Sequence, residues 1–181
     1  MEIHILRLGH RPARDKRVTT HLMLAARAFG ADGVIYTGTR DPVLEDSVRD
    51  ICANWGGSFN VRFAEDWKRI VLDWGRRGKV VHLTMYGIPL QMVTPPIRDD
   101  PNDKLVVVGG AKVPGEVYGR ADWNVAVTSQ PHSEVSALAV FLHELFEGRE
   151  LELEFDGARL RVDPQERGKK VDAVNPARLK I

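Results

Sequence analysis

Arg7, Arg11, Arg14, Lys16 and Arg17 crowd one short segment that holds a single acid, Asp15. Cationic side chains beside a helix N-terminus, where backbone N–H groups lack partners, suit the binding of phosphates. The competing reading is a solvated loop with local Asp–Arg pairs, and composition alone weighs the two evenly. A second segment is the apolar run Val106–Val108, which opens into Gly109-Gly110-Ala111-Lys112-Val113. Glycines at a strand end let the backbone approach a ligand closely. No Lys-Ser/Thr follows the last glycine and no G-x-G-x-x-G is present, so neither a P-loop nor a dinucleotide fingerprint is made. Taken alone, the segment is a plain strand-to-helix turn. The third is Thr128-Ser129-Gln130-Pro131-His132-Ser133-Glu134-Val135-Ser136, polar groups set before an apolar-striped helix. Capping by Ser133, with Glu134 or Ser136 in the first turn, explains one or two of them but not Gln130 and His132.

Other chemistries fit poorly. His143-Glu144 lacks the second histidine of H-E-x-x-H, and no G-x-S-x-G elbow occurs. The lone cysteine, Cys52, falls in an amphipathic helix and reads as core; it can build neither an internal disulfide nor a multi-cysteine zinc site, and no metal site is expected. His4 and His82 lie in strands and read as structural. The formal charge of +1 over 181 residues predicts no polyanion partner, so a nucleic-acid site must come from local clustering. No apolar run follows a basic start and none is long enough to span a bilayer, so neither a signal peptide nor a membrane span is expected. A reducing, cytoplasmic compartment suits the cysteine usage.

These segments must be held by secondary structure. Strand and helix alternate, which predicts an α/β fold, a largely parallel sheet flanked by helices. Ile3–Leu8 reads as a strand, Gly9–Arg17 as a basic loop and Thr19–Phe29 as a helix stopped by Gly30. Gly33–Tyr36, Phe59–Phe63, Lys79–Thr84, Leu105–Val108 and Trp123–Val127 read as further strands. Asp41-Pro42 is an N-cap followed by proline at N1, and Leu44, Val48, Ile51 and Trp55 then share one helical face. Trp67, Ile70, Val71 and Trp74 stripe a third helix. Val135, Leu138, Leu142, Leu145 and Phe146 stripe a last one over Ser133–Glu147. Pro95-Pro96 and Asp99–Asp103 read as a loop. Asp156-Gly157 predicts a β-hairpin between Glu150–Phe155 and Ala158–Val162, with Leu153 opposite Leu160 and Glu154 opposite Arg159. The expected organisation is one α/β domain over 1–148, a hairpin appendage over 149–164 and a basic tail over 165–181. Ligands of parallel sheets sit outside the carboxyl ends of the strands. Leu6–His21, His82–Gly87, and Val106–Tyr118 with Val127–Ser136 all begin there, so one shared site is expected.

The chain resembles the archaeal tRNA cytidine-56 2′-O-methyltransferases, a branch of the SPOUT superfamily. The resemblance rests on Leu6–His21, Ala26–Gly33, His82–Gly87, Gly110–Pro114 and Gln130–Val135. It implies S-adenosylmethionine as methyl donor, tRNA as substrate, a homodimer and a C-terminal trefoil knot, an exception to the general rule against knots. It also implies that Leu83, Gly109, Gly110, Ala111, Lys112 and Val113, with Thr128, Ser129, Gln130, Pro131, His132, Ser133, Glu134 and Val135, enclose the donor. Arg11, Arg14, Lys16 and Arg17 would bind RNA. Related ribose methyltransferases carry an arginine where this chain has Met23-Leu24, and an asparagine where it has Glu134. The catalytic arginine is therefore expected at Arg14 or Arg17, with His21 as a rival, and the proton acceptor at Glu134 or His21. Two other readings stay open: a non-catalytic RNA-binding protein using the Arg11–Arg17 segment, and a Rossmann-like oxidoreductase, disfavoured by the missing fingerprint.

Overall fold

A computed structural model describes residues 1–110 and 112–174; the side chain of Lys16, Ala111 and 175–181 lie outside the described residues. The elements run β1 (Ile3–His10), α1 (Pro12–Ala28), β2 (Gly33–Gly38), α2 (Pro42–Trp55), β3 (Asn60–Phe63), α3 (Trp67–Trp74) and β4 (Gly78–Pro89). There follow α4 (Leu90–Asp99), β5 (Asp103–Val108), α5 (Gly115–Arg120), β6 (Trp123–Ala126) and α6 (Glu134–Phe146), then a 3-10 turn (Arg149–Glu152), β7 (Leu160–Asp163) and β8 (Lys170–Ala173).

Six strands form one sheet in the order β3-β2-β1-β5-β4-β6, every pair parallel. Alternate side chains feed two cores. Ile3, Ile5, Val34, Tyr36, Val106 and Val108 pack with α1, α2, α4 and α6 residues on one face. Leu6, Leu8, Ile35, Leu105 and Val107 meet Val71, Trp74 and Val117 on the other. Burial on both faces is why these strands read as nearly continuous apolar runs. Asp41 caps α2 as expected, its carboxylate accepting from the Leu44 N–H at 3.1 Å.

Three local expectations are corrected. The segment read as a basic loop is mostly helix, because Pro12 at N1 fixes a helical φ and Arg11 bonds Asp15 one turn on, Nε to Oδ2 at 2.8 Å. Pro95-Pro96 lies inside α4, not in a loop. Leu90, Thr94 and Ile97 are buried, and Arg98 Nε donates to the Leu145 carbonyl of α6 at 3.0 Å, so packing outweighs the two missing N–H groups. β4 also runs on past Tyr86-Gly87. Both Leu83 and Ile88 pair with Val125, and a Cβ on Gly87 would fall 2.4 Å from the Asn124 carbonyl oxygen.

A C-terminal hairpin is present, but between other segments. β7 pairs antiparallel with β8, Leu160 opposite Ala173 and Arg161 opposite Asp172. Thus Lys170 of the expected basic tail pairs with Asp163 in the hairpin. The Asp156-Gly157 turn forms, yet its flanks are captured by α2. The Gly57 N–H donates to the Asp156 carbonyl and the Arg159 N–H to that of Asn54, both at 2.8 Å. The Phe155 ring lies 4.3 Å from the Arg27 guanidinium. These tertiary contacts displace cross-strand pairs worth only about 0.2–1 kcal/mol each.

Candidate active site

The carboxyl ends of β1, β2, β4 and β5 and the β6–α6 connection converge on two clefts that share Gly110. The first encloses about 370 Å³. Its walls include Leu83 to Tyr86 from β4, Val108 to Gly110 and Val113 after β5, Tyr118 of α5, and Pro131, His132, Glu134 and Ala137 around the start of α6. Gly109 leaves room for Val113: a Cβ there would collide with Val113 Cγ2, so a larger residue would require that side chain to move. Tyr118 is held from beneath. Its ring meets His82 edge-on at 4.7 Å, its hydroxyl lies 3.1 Å from Thr84 Oγ1, and its carbonyl accepts from Asn124 Nδ2 at 2.9 Å. His82 Nδ1 lies 2.9 Å from Asn124 Oδ1. Burial depresses the His82 imidazole below its ordinary value, against an opposing bond from Asn124, so it is a neutral structural group as the strand reading expected.

The second cleft, about 700 Å³, opens on the far side of Gly110. Leu8 to Arg11, Arg14, Thr37 to Thr39, Glu65, Trp67, Lys112 and Pro114 line it. Its cations are Arg11, Arg14 and Lys112. Hydrogen bonding and charge from Asp15 hold the exposed Arg11 guanidinium above its ordinary value, and Arg11 lowers Asp15 in turn. Under the floor, buried His10 sets Nδ1 2.9 Å from Thr19 Oγ1 and Nε2 3.5 Å from Asp41 Oδ2. Tyr36 donates to Glu45 at 2.6 Å; burial, then this bond, push its hydroxyl up to about 12.

The sequence-derived residues divide under this geometry. Leu83, Gly109, Gly110, Val113, Pro131, His132 and Glu134 line the first cleft together, while Lys112 turns to the second. Thr128, Ser129, Gln130, Ser133 and Val135 line neither. Ser133 caps α6, its Oγ accepting from the Val135 N–H at 3.2 Å, and Thr128 Oγ1 accepts from the Gln130 N–H at 3.3 Å. Local hydrogen bonding therefore explains more of this segment than capping alone suggested. Ala111 lies outside the described residues, as does the side chain of Lys16. Arg11 and Arg14 reach the second cleft, but Arg17 and His21 are exposed on α1 and line neither.

Trp67 lines the second cleft and Arg7 lies against Gly110, and neither is among the site residues that the resemblance implies. The signal for Arg7 was present: it is a lone charge in a strand with apolar neighbours. It is 2% exposed, and its Nη2 lies 3.8 Å from Glu134 Oε1. Trp67 left no signal beyond its place on an apolar stripe.

A family profile described as "tRNA ribose 2′-O-methyltransferase, aTrm56" matches residues 55–172. The tRNA (cytidine(56)-2′-O)-methyltransferase of Methanothermobacter thermautotrophicus is 55% identical over 170 residues, spanning 93% of this chain and 95% of that protein. The TrmH/SpoU tRNA modifying enzyme of A. aeolicus matches with a TM-score of 0.61 and 13% identity, over 82% of this chain and 76% of that one. The SpoU methyltransferase AviRb from Streptomyces viridochromogenes, solved in complex with AdoMet, gives 0.58 and 19%, over 82% of this chain and 58% of that one. At such identities the structures share the fold, that of SPOUT methyltransferases. On the profile match and the 55% identity, the chain belongs to the aTrm56 family of tRNA ribose 2′-O-methyltransferases.

Proposed function

We propose that this protein methylates the ribose 2′-oxygen of cytidine 56 in tRNA, with S-adenosylmethionine in the first cleft and the acceptor nucleotide in the second. The observation that carries the reading is the meeting of the two clefts at Gly110. Transfer requires donor and acceptor to approach end to end, and alignment alone can supply roughly 7–11 kcal/mol.

The donor fits the first cleft. Its volume is in the range of small-molecule sites. Leu83, Val108, Val113 and Ala137 offer apolar surface to an adenine, the glycine backbone permits close approach, and the Glu134 carboxylate offers an anion to a cationic ligand. Bound S-adenosylmethionine supplies an electrophilic methyl group on a sulfonium. The protein's own part would be to hold the ribose oxygen in line with that methyl group and to take the hydroxyl proton.

Glu134 is the proposed proton acceptor because it lines the donor cleft beside Gly110, whereas His21 lines neither cleft. Arg14 is the proposed catalytic arginine in preference to Arg17, because it faces the second cleft. An arginine stays protonated, so it acts by holding phosphate and stabilising developing negative charge. Arg11 and Lys112 add phosphate contacts, and Trp67 offers a ring to a base.

The protein works as a homodimer. Tyr86, Ile88 and Met92 are exposed at 77%, 52% and 70%, and Val140 of α6, which packs on α4, is exposed as well. Such apolar surface beside the donor cleft suits a subunit contact. The loops after β5 and β6 that line the donor cleft are those the family resemblance assigns to a trefoil knot. No helix among the described residues is long and apolar enough to cross a membrane. An archaeal source and a cytoplasmic location complete the reading. The deciding experiment is methyl transfer from labelled donor to unmodified tRNA with the product nucleotide mapped; absence of donor binding in calorimetry favours a non-catalytic RNA-binding protein.

A further inference from the structure

Arg7 leads in volume the fully buried side chains of the described residues. An arginine rarely sits so deep without full pairing. Here the compensation is partial. Nη1 donates to the Leu8 carbonyl at 3.0 Å, the Glu134 carboxylate stands 3.8 Å from Nη2, and Nε has no hydrogen-bond partner among the described residues. Burial accordingly pulls the guanidinium below its ordinary value, while Glu134 and then Asp15 push it back up. A well-packed apolar side chain in place of a buried ion pair is often neutral or stabilising. The fold therefore gains little from a charge at this position.

The location supplies the reason for one. Arg7 is clamped in the middle of the sheet, in register with Tyr36 of β2 and Val108 of β5. A Cβ on Gly110 would lie 3.4 Å from Nη1, 3.6 Å from Nη2 and 3.7 Å from Glu134 Oε1. The guanidinium and the carboxylate thus sit together against the one residue shared by both clefts. Arg7 itself has almost no accessible surface, so it reaches the reaction through Glu134.

We propose that Arg7 is a positioning residue for methyl transfer, fixing the Glu134 carboxylate at the junction of the two clefts, where that carboxylate receives the 2′-hydroxyl proton. The inference rests on the assignment of donor and acceptor to those clefts. The guanidinium is anchored by two parallel ladders, whereas Glu134 opens a helix at the end of a loop. The strand therefore supplies the fixed reference and the loop residue is held against it.

The test uses the full chain carrying R7M, R7K, E134Q and the R7M/E134Q pair. Donor affinity is measured by calorimetry, kcat and KM with unmodified tRNA, and Tm by thermal melting. R7M is expected to lower kcat by about 100-fold, the effect of misplacing a reacting group by about an ångström. Donor Kd and KM for tRNA should stay within about threefold of the parent, R7K should recover part of the rate, and R7M should add no loss to E134Q. The inference is overturned if R7M keeps its kcat, if the R7M and E134Q losses multiply, or if E134Q alone is fully active. A loss of folding in R7M with full activity in R7K overturns it as well. Failure of the underlying reading looks different: the unsubstituted chain then binds no donor or transfers no methyl group.

Discussion

The two clefts that meet at Gly110 are built from different materials. The cleft proposed for the donor is largely backbone and fixed apolar groups: the Gly109-Gly110 turn, the ends of β4 and β5, and a Tyr118 pinned by His82, Asn124 and Thr84. The second cleft takes its charge from long side chains, Arg11 and Arg14 on the first turns of α1 and Lys112 beyond Gly110. Backbone shape has no substitute when a side chain intrudes. Cations around a polyanion contribute increments that salt can screen. The donor cleft should therefore fail abruptly under substitution and the second cleft by degrees.

The largest effect tests the abrupt side. Gly110→Val places branched carbons against Arg7 and Glu134 and into the junction. Donor affinity in calorimetry should fall at least about 100-fold, roughly 2.7 kcal/mol, with Tm little changed. Unaltered affinity would remove Gly110 from the donor site.

A second measurement separates catalysis from binding in the basic cleft. Arg14→Ala should lower kcat by about 100-fold with donor binding intact, the scale of removing one donor to developing charge. Arg17→Ala, on the exposed side of α1, should keep kcat within about twofold. The reverse pattern would mean that the RNA is read from the outer face of α1 and not from the cleft.

Gradual failure is expected from Arg11→Ala. Each phosphate contact contributes about 0.7–0.9 to the slope of log affinity against log salt. Loss of Arg11 should flatten the slope by one such contact while kcat at saturating tRNA survives. Its partner Asp15 is left free, so part of the loss at low salt should return in the Arg11→Ala/Asp15→Ala pair.

The smallest effect concerns the support under Tyr118. The folded His82 value lies below the ordinary 6.5, so the unfolded chain takes up the proton first as pH falls. The contribution of this histidine to stability is complete above about 6.5 and declines below it, levelling off once the folded group also titrates. Urea midpoints at pH 7.5 and 5.5 should therefore differ less in His82→Gln than in the parent; an identical difference would assign the acid sensitivity to another group.

How far these features could be read in advance depends on the range of the forces behind them. Alternating apolar strands and striped helices act over a few residues, so the parallel α/β layout and the strand ends at which the two clefts open were legible. So were the family strings and the Asp41 cap. Helix boundaries were less so. The basic segment became the first turns of α1 because Pro12 and the Arg11–Asp15 bond outweighed its look of a charged loop.

The layers, the strand ends at which the clefts open, and membership of a family through long unusual strings are written in local patterns. Tertiary structure alone decided which cations face a cleft, that Arg7 lies under Gly110 beside Glu134, that Pro95 and Pro96 stay helical, and that β7 pairs with β8. Each of these depends on contacts between residues far apart in the chain. Leu8 comes to share a cleft with Lys112, and Asp156 accepts from the Gly57 N–H, only after the sheet has assembled. Local propensities of a few tenths of a kcal/mol are overridden by such packing and hydrogen bonding, and no short-range pattern encodes the outcome.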